Sequence, residues 1–287
     1  MWQILLIFYF IFGTSSYLLR RTLAKKFHDK NRLINAAFFI VFLLPTALLL
    51  APLFPHNLAV GWVNIAFLLA GSIIWPLFNI LAFKANKTVD VGIYTVINNL
   101  SPFFTLLFAL TILNESLTTH QYAGILLLIF SGLLVALPQL RKNNETHTYG
   151  ILLCLLSTAV LGTAVAYERF MLTRIDLGAY FIYGWGSQIF WMAILARKEL
   201  KNLPLLFKET PTRKLTFGYG LTNVLKSASF ILALKLSGSA AVVGAATNFM
   251  SVTVIISAYI FLAERKNLII KLTSAIIGIL GLFLVAK

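Results

Sequence analysis

Ten apolar runs, each close to the length of one bilayer crossing, dominate the chain. They cover residues 2–19, 33–54, 61–83, 90–113, 121–138, 149–168, 178–196, 216–236, 240–262 and 268–286. A helix needs about 20 mostly apolar residues to cross a hydrocarbon core of about 30 Å. Backbone N–H and C=O groups find no water at that depth, so each run must satisfy its own hydrogen bonds, as a helix does. The alternating ten-residue strands of a membrane barrel do not appear. Composition excludes the soluble alternative: 59% of residues are hydrophobic and 11% charged, against about 25% charged in soluble domains. The sequence therefore predicts an all-α integral membrane protein with ten transmembrane helices. The first run lacks a basic leader and a small-residue cleavage site, so it reads as a retained span.

The net charge of +15 points to lipid headgroups as partners rather than nucleic acid, because the basic residues sit in short breaks between the runs. Nineteen of the 24 lie in odd-numbered loops, among them Arg20, Arg21, Lys25, Lys26, Arg197, Lys198 and Lys271; four lie in even-numbered loops and at the C-terminus. The positive-inside rule then puts the odd loops in the cytoplasm and both termini outside, in the plasma (cell inner) membrane. One cysteine, Cys154, allows neither a disulfide nor a thiolate metal site. The four histidines fall in polar breaks without ligand spacing, so neither a metal nor another cofactor is expected.

An offset of 149 residues aligns the two halves. Gly13-Thr14 falls on Gly162-Thr163, Arg20 on Arg169, Asn99 on Asn248, Glu115 on Glu264 and Gly132-Leu133 on Gly281-Leu282. Residues 1–144 and 145–287 are thus two five-helix repeats, and an odd number of spans per repeat makes the second enter the membrane from the opposite side. Such inverted repeats are common among secondary transporters. The break LTILNESLTTHQYAG closes the fourth span and opens the fifth. Thr118 and Gln121, three apart, make a capping box, and Glu115 adds negative charge near that helix start. AERKNLIIK, with Glu264, is expected to do the same in the second half.

The segment NNLSPFFTLLFALTILNESLTTHQYAGILLLIFSGLLV, with Pro102, Glu115, Gly124 and Gly132, resembles the fourth and fifth spans of EamA-type proteins in the drug/metabolite transporter superfamily. Glu264 and Gly281 match again in the second half, with Ser251 in place of the proline and Thr273 in place of the first glycine. The resemblance implies ten helices, a central cavity between the halves, and export or exchange of small metabolites.

All nine acids lie in loops or at span ends, which disfavours a carboxylate proton relay. No paired acids, Ser-His-Asp set or HExxH supports an enzyme. Lys226 is the one ionisable residue placed deep, about ten residues and so about 15 Å from either end of its run. A central lysine costs about 2.5–3.5 kcal/mol on insertion scales, so water, a partner or an anionic substrate must offset it; neighbouring carbonyls and hydroxyls are the alternative. Polar stripes at helical spacing point the same way: Thr222, Lys226 and Ser229 beside Asn223; Ser72, Trp75, Pro76 and Asn79; Asn98, Ser101, Pro102 and Thr105; Thr247, Asn248 and Ser251. Each alone would read as helix–helix glue. Pro76 and Pro102 are expected to kink their helices and free carbonyls. Tyr183 and Gln188 in the seventh run either line the cavity or belong to packing. Ser274, Gly278 and Gly281 suit close packing or a homodimer contact.

The expectation is a carrier that rocks one repeat against the other. Lys226 would attract the anionic group of a small, carboxylate-bearing metabolite, and Asn79, Asn98, Asn223 and Asn248 would orient it, with Trp75, Tyr183 and Gln188 lining the site. A flippase or carrier of hydrophobic or lipid-linked cargo is the alternative within transport; a non-transporting sensor or structural subunit is the alternative outside it.

Overall fold

The computed structural model describes residues 2–105, 107, 118–140, 145–208, 210–237 and 249–285, and among these every regular element is helical. The helices that matter are α1 (Trp2–Lys26), α2 (Asn31–Ala37), α3 (Leu44–Leu50), α4 (Trp62–Gly71), α5 (Ile74–Thr88), α6 (Val91–Asn98), α7 (Thr119–Leu140), α8 (Glu145–Arg174), α9 (Trp185–Leu195), α10 (Thr210–Ser237), α11 (Met250–Phe261) and α12 (Leu268–Val285). Among the described residues five stretches are long and apolar enough to cross a membrane: Trp2–Lys26, His28–Leu53, Trp62–Thr88, Thr119–Pro138 and Thr148–Arg174; Met250–Phe261 and Leu268–Leu284 are shorter apolar helices. The protein is an integral membrane protein.

Two boundaries differ from expectation in a way that matters for function. α1 runs on to Lys26 and α8 to Arg174, beyond the apolar runs that ended at 19 and 168. Nothing in LRRTLAKK breaks a helix: it holds no glycine or proline, and Leu, Arg, Ala and Lys are strong helix formers. Charge alone had suggested a loop.

Both expected proline kinks appear as breaks a few residues upstream. α4 gives way to a turn at Ser72–Ile73 before Pro76, and α6 ends at Asn98 before Pro102. A proline ring clashes with the carbonyl four residues earlier, so the chain yields there. Pro45 acts in another way. The preceding Phe38–Leu43 widens into a π-helical turn, with Leu44 N–H reaching Phe39 O, and so accommodates the ring. At the start of α7, Thr118 N–H donates to Gln121 Oε1 at 3.0 Å and Gln121 N–H to Thr118 Oγ1 at 3.4 Å, which is the expected capping box; Glu115 lies outside the described residues.

Helices pair along their lengths: α1 with α10, α5 with α8, and α7 with α12, while α6 lies against α11. α1 shows why. Ile4, Ile7, Phe8 and Ile11 share one outward face and are exposed, as lipid-facing residues are. Gly13, Ser16, Tyr17 and Arg20, at i, i+3, i+4 and i+7, are buried on the inward face. Gly13 lets α10 and α11 close in: a Cβ there would stand 2.2 Å from Met250 Sδ and 3.5 Å from Lys226 Cδ. Ser274, Gly278 and Gly281 pack inside the chain. Ser131 Oγ donates to Ser274 O at 2.6 Å, and Cβ atoms at Gly278 and Gly281 would meet Ser131 Oγ and the Gly124 carbonyl.

Candidate functional site

The inward face of α1 gathers a cationic cluster. Arg20 is fully buried. Its guanidinium carbon lies 5.3 Å from the centroid of the Tyr17 ring, 5.7 Å from Phe78, 5.8 Å from Phe83 and 5.8 Å from Tyr219. Nη2 donates to Asn79 Oδ1 at 3.4 Å, while Nε and Nη1 have no hydrogen-bond partner among the described residues. Lys226, two-thirds of the way along α10, is half-buried, and its Nζ lies 5.6 Å from the same Tyr17 ring. Two cations thus share one aromatic ring.

Amides and hydroxyls tie this cluster across five helices. Asn98 Nδ2 donates to Tyr17 Oη at 3.4 Å, and Thr158 Oγ1 of α8 donates to Asn98 Oδ1 at 2.7 Å. Ser16 Oγ donates to Asn223 Oδ1 at 3.0 Å, and Asn223 Nδ2 donates to Tyr219 Oη at 3.4 Å. Asn79 Nδ2 donates to Trp75 O at 3.0 Å. The antiparallel run of α1 and α10 sets these meetings, stepping one turn at a time along both helices. Buried Trp75 Nε1 has no hydrogen-bond partner among the described residues, and the Tyr94 ring lies 6.0 Å from the Tyr17 ring.

Magnitudes show that the rings do not neutralise this site. A cation–π contact contributes about 0.5–2 kcal/mol. Holding a charge in a low-dielectric interior costs several kcal/mol, and each unsatisfied buried donor about 1–3 kcal/mol more.

One residue further along α1 the charges are balanced. Arg21 Nε donates to Glu264 Oε1 at 2.9 Å, Nη1 to the Asn86 carbonyl, and Nη2 meets Asp90 Oδ1 at 3.3 Å; Lys271 Nζ meets Asp90 Oδ2 at 3.1 Å. Two cations face two anions. Glu264 is aimed inward by its turn, where Ala263 takes a positive φ of 54° and Glu264 N–H reaches back to Ala258 O. Burial, then Asp90, pushes the Glu264 carboxyl up from the ordinary range, and Arg21 and Lys271 pull it back only in part.

Several expectations are corrected here. Glu264 serves as an ion-pair partner of Arg21 instead of a charge at a helix start. Arg20, Arg21 and Lys271 were counted as loop cations but are buried, so they carry no weight in the positive-inside count. Lys226 is not the only deep ionisable residue. Glu168 was assigned to a span end, yet it lies within α8 and is buried, with Tyr180 Oη donating to its Oε1 at 2.7 Å and Oε2 unpartnered.

Of the expected site residues, Lys226, Asn79, Asn98, Asn223 and Trp75 converge on the α1 cluster. Asn248 lies outside the described residues. Tyr183 and Gln188 stand elsewhere: Tyr183 Oη donates to the Leu58 carbonyl at 3.1 Å, and Gln188 is buried on α9 beside Tyr180. Sequence reasoning missed Ser16, Tyr17, Arg20 and Tyr219. The i, i+3, i+4, i+7 stripe on α1 was the available signal, hidden by ending that helix at residue 19.

Long apolar helices packed around buried polar and charged side chains are those of an integral membrane protein. Residues 1–137 match the EamA-like transporter family. No curated protein matches the chain. One solved structure, titled only as the crystal structure of a protein, is similar over 95% of this chain and 95% of its own, at 14% identity and a TM-score of 0.49.

Proposed function

We propose that the protein is a ten-helix carrier made of two inverted repeats, residues 1–144 and 145–287, which moves a small carboxylate-bearing metabolite by rocking one repeat against the other. The observation that carries the reading is Lys226. The residue stands within a 28-residue helix and is only partly buried, and its Nζ faces an interior ring with no ion-pair partner among the described residues. A charge that is costly to place there and left unpaired is a receptor for an opposite charge.

Packing supports the repeat. The offset of 149 carries the Gly13–Met250 contact onto Gly162–Ser101, and a Cβ at Gly162 would meet the Ser101 carbonyl at 2.3 Å. It also carries the α1–α10 pair onto α8–α5, and those two helices do pair. Each of these pairs joins one half to the other, so the cluster sits where rocking would open and close it. Exposed Lys25 and Lys26 at the end of α1, Lys84 and Lys87 in the last turns of α5, and Arg197 and Lys198 just past α9 still cluster at the ends assigned to odd-numbered loops, which supports a cytoplasmic face there.

Counterflow into liposomes across a metabolite panel tests the function. Small carboxylates are expected to be carried, with Lys226→Met lowering the rate at least about tenfold; unchanged transport in that variant would remove Lys226 from the mechanism. Because Cys154 is buried, a cysteine placed at Ala59 reports orientation: an impermeant maleimide should label it from outside intact cells.

A further inference from the structure

We propose that the α1–α10 cluster is built for a small dianion, with Lys226 holding one anionic group and Arg20 the other. The proposal rests on the carrier reading above and adds the charge of the cargo and a second anchoring residue.

Four observations carry it. First, Arg20 and Lys226 lie 5.3 and 5.6 Å from the centre of one ring, so two anionic groups a few bonds apart can engage both. Second, among the described residues the buried side-chain nitrogens near Arg20 that lack a hydrogen-bond partner are all N–H donors: its own Nε and Nη1 and Trp75 Nε1. A cationic guest would be repelled and an apolar one would leave every donor unpaired, whereas oxyanions accept from all of them. Third, the protein supplies carboxylates where it wants structural pairing. Arg21 and Lys271 receive Asp90 and Glu264, but no carboxylate is bonded to Arg20 or Lys226 among the described residues. A monoanion would cancel one of these two charges and leave the other; a dianion cancels both.

Fourth, the two halves are unequal at this point. At the offset of 149, Tyr17 corresponds to Ala166, Arg20 to the exposed Arg169, and Lys226 to the exposed Leu77. A feature needed merely to pack this fold would be expected twice. The cluster occurs once, so it is a specialisation of the α1–α10 interface. Arg20 is covered and Lys226 accessible, which makes Lys226 the outer contact and Arg20 the inner one, reached as the two halves part. Arg20 has a planar fork suited to a carboxylate or phosphate, while Lys226 is a point charge on a flexible stem.

The test uses the purified full chain in lipid nanodiscs, melted at fixed ionic strength with butyrate, succinate, inorganic phosphate or putrescine. Succinate is expected to raise the melting temperature at a concentration about tenfold below butyrate, since a second charge-assisted contact is added. Putrescine should have no effect. Phosphate matching succinate would assign the site to dianions generally; succinate alone would assign it to dicarboxylates. Lys226→Met and Arg20→Met should each reduce succinate to the level of butyrate. Equal potency of succinate and butyrate, lost in Lys226→Met but kept in a folded Arg20→Met, would overturn the dianion proposal and leave the carrier reading standing. Absence of a shift with any anion would overturn both. The wild-type comparison needs no substitution, so it decides the matter even if an Arg20 variant aggregates.

Discussion

Arg20 and Arg21 are chain neighbours on α1, both buried, and the fold treats them in opposite ways. Arg21 meets Glu264, Asp90 and a backbone carbonyl, with Lys271 completing a network of two positive and two negative groups. Arg20 meets four aromatic rings and one amide, and two of its nitrogens have no partner among the described residues. A helix turns 100° per residue, so adjacent residues look into different neighbourhoods. Arg21 looks toward the turns at the helix ends, where acids are affordable because water is near. Arg20 looks into the middle, where each charge must be matched or kept for a purpose. Pairing marks a structural charge, and its absence at similar burial marks a functional one.

The strongest break of that comparison removes a partner from the paired corner. Glu264→Ala leaves Arg21 and Lys271 facing Asp90 alone. Losing one member of a buried ion pair costs about 3–5 kcal/mol, so thermal or denaturant unfolding in detergent should show a large loss. A loss below about 1 kcal/mol, the range of surface pairs, would mean that water reaches this corner freely.

At the unpaired corner the sign should reverse. Arg20→Met keeps a long side chain within the ring cage and removes an uncompensated charge. Replacing buried charge by well-packed apolar groups is neutral or stabilising by about 1–4 kcal/mol, so Arg20→Met should melt at or above the wild-type temperature while its response to succinate falls to the level of butyrate. A variant more stable and less responsive is the usual signature of a functional residue that stability alone would not retain. A clear destabilisation would instead show that the guanidinium holds the rings together.

Glu168 offers an intermediate case, a buried carboxylate with one donor. Tyr180→Phe takes away the hydroxyl that donates to Oε1 and leaves both oxygens bare. Hydrogen bonds to charged groups contribute about 1.5–3 kcal/mol, so this variant should unfold more easily by that amount. Glu168→Gln in the same background should restore much of the loss, because a neutral amide needs less help.

Much of this molecule was legible in its sequence. The helical class, the capping box at Thr118 and Gln121, the breaks near Pro76 and Pro102, and the convergence of Asn79, Asn98, Asn223, Trp75 and Lys226 all follow from periodicity and local sterics. What escaped was the fate of charges at run ends. A window of hydropathy stops at Leu19 because Arg20 and Arg21 follow, yet a helix stops only where its backbone is broken, and LRRTLAKK breaks nothing. The same error put Glu168 at the end of its span, whereas α8 runs on to Arg174. Tyr183 stands apart from the α1 cluster for a different reason: its hydroxyl donates to the carbonyl of Leu58, a tertiary contact that spacing along one helix cannot reveal.

The smallest expected effect tests how completely the paired corner is neutralised. Burial and Asp90 raise the Glu264 carboxyl above its ordinary value, against the pull of Arg21 and Lys271. A folded state with the raised value holds the proton more tightly than the unfolded chain does. The stability this gives is complete below the unfolded pKa and is lost as pH rises through the folded one. Wild-type stability should therefore decline as pH rises across that interval, by no more than about 1.4 kcal/mol for each pH unit, the limit for one proton. Glu264→Gln, which cannot titrate, should lack that slope, and Arg20→Met should keep it because Arg20 stays charged throughout. Melting curves across mildly acidic to neutral pH separate these outcomes. A slope of opposite sign would mean that Arg21 and Lys271 outweigh burial, so that pairing stabilises the ionised carboxylate outright; the contrast with Arg20 would then be sharper, since one arginine would be strengthening the fold while its neighbour burdens it.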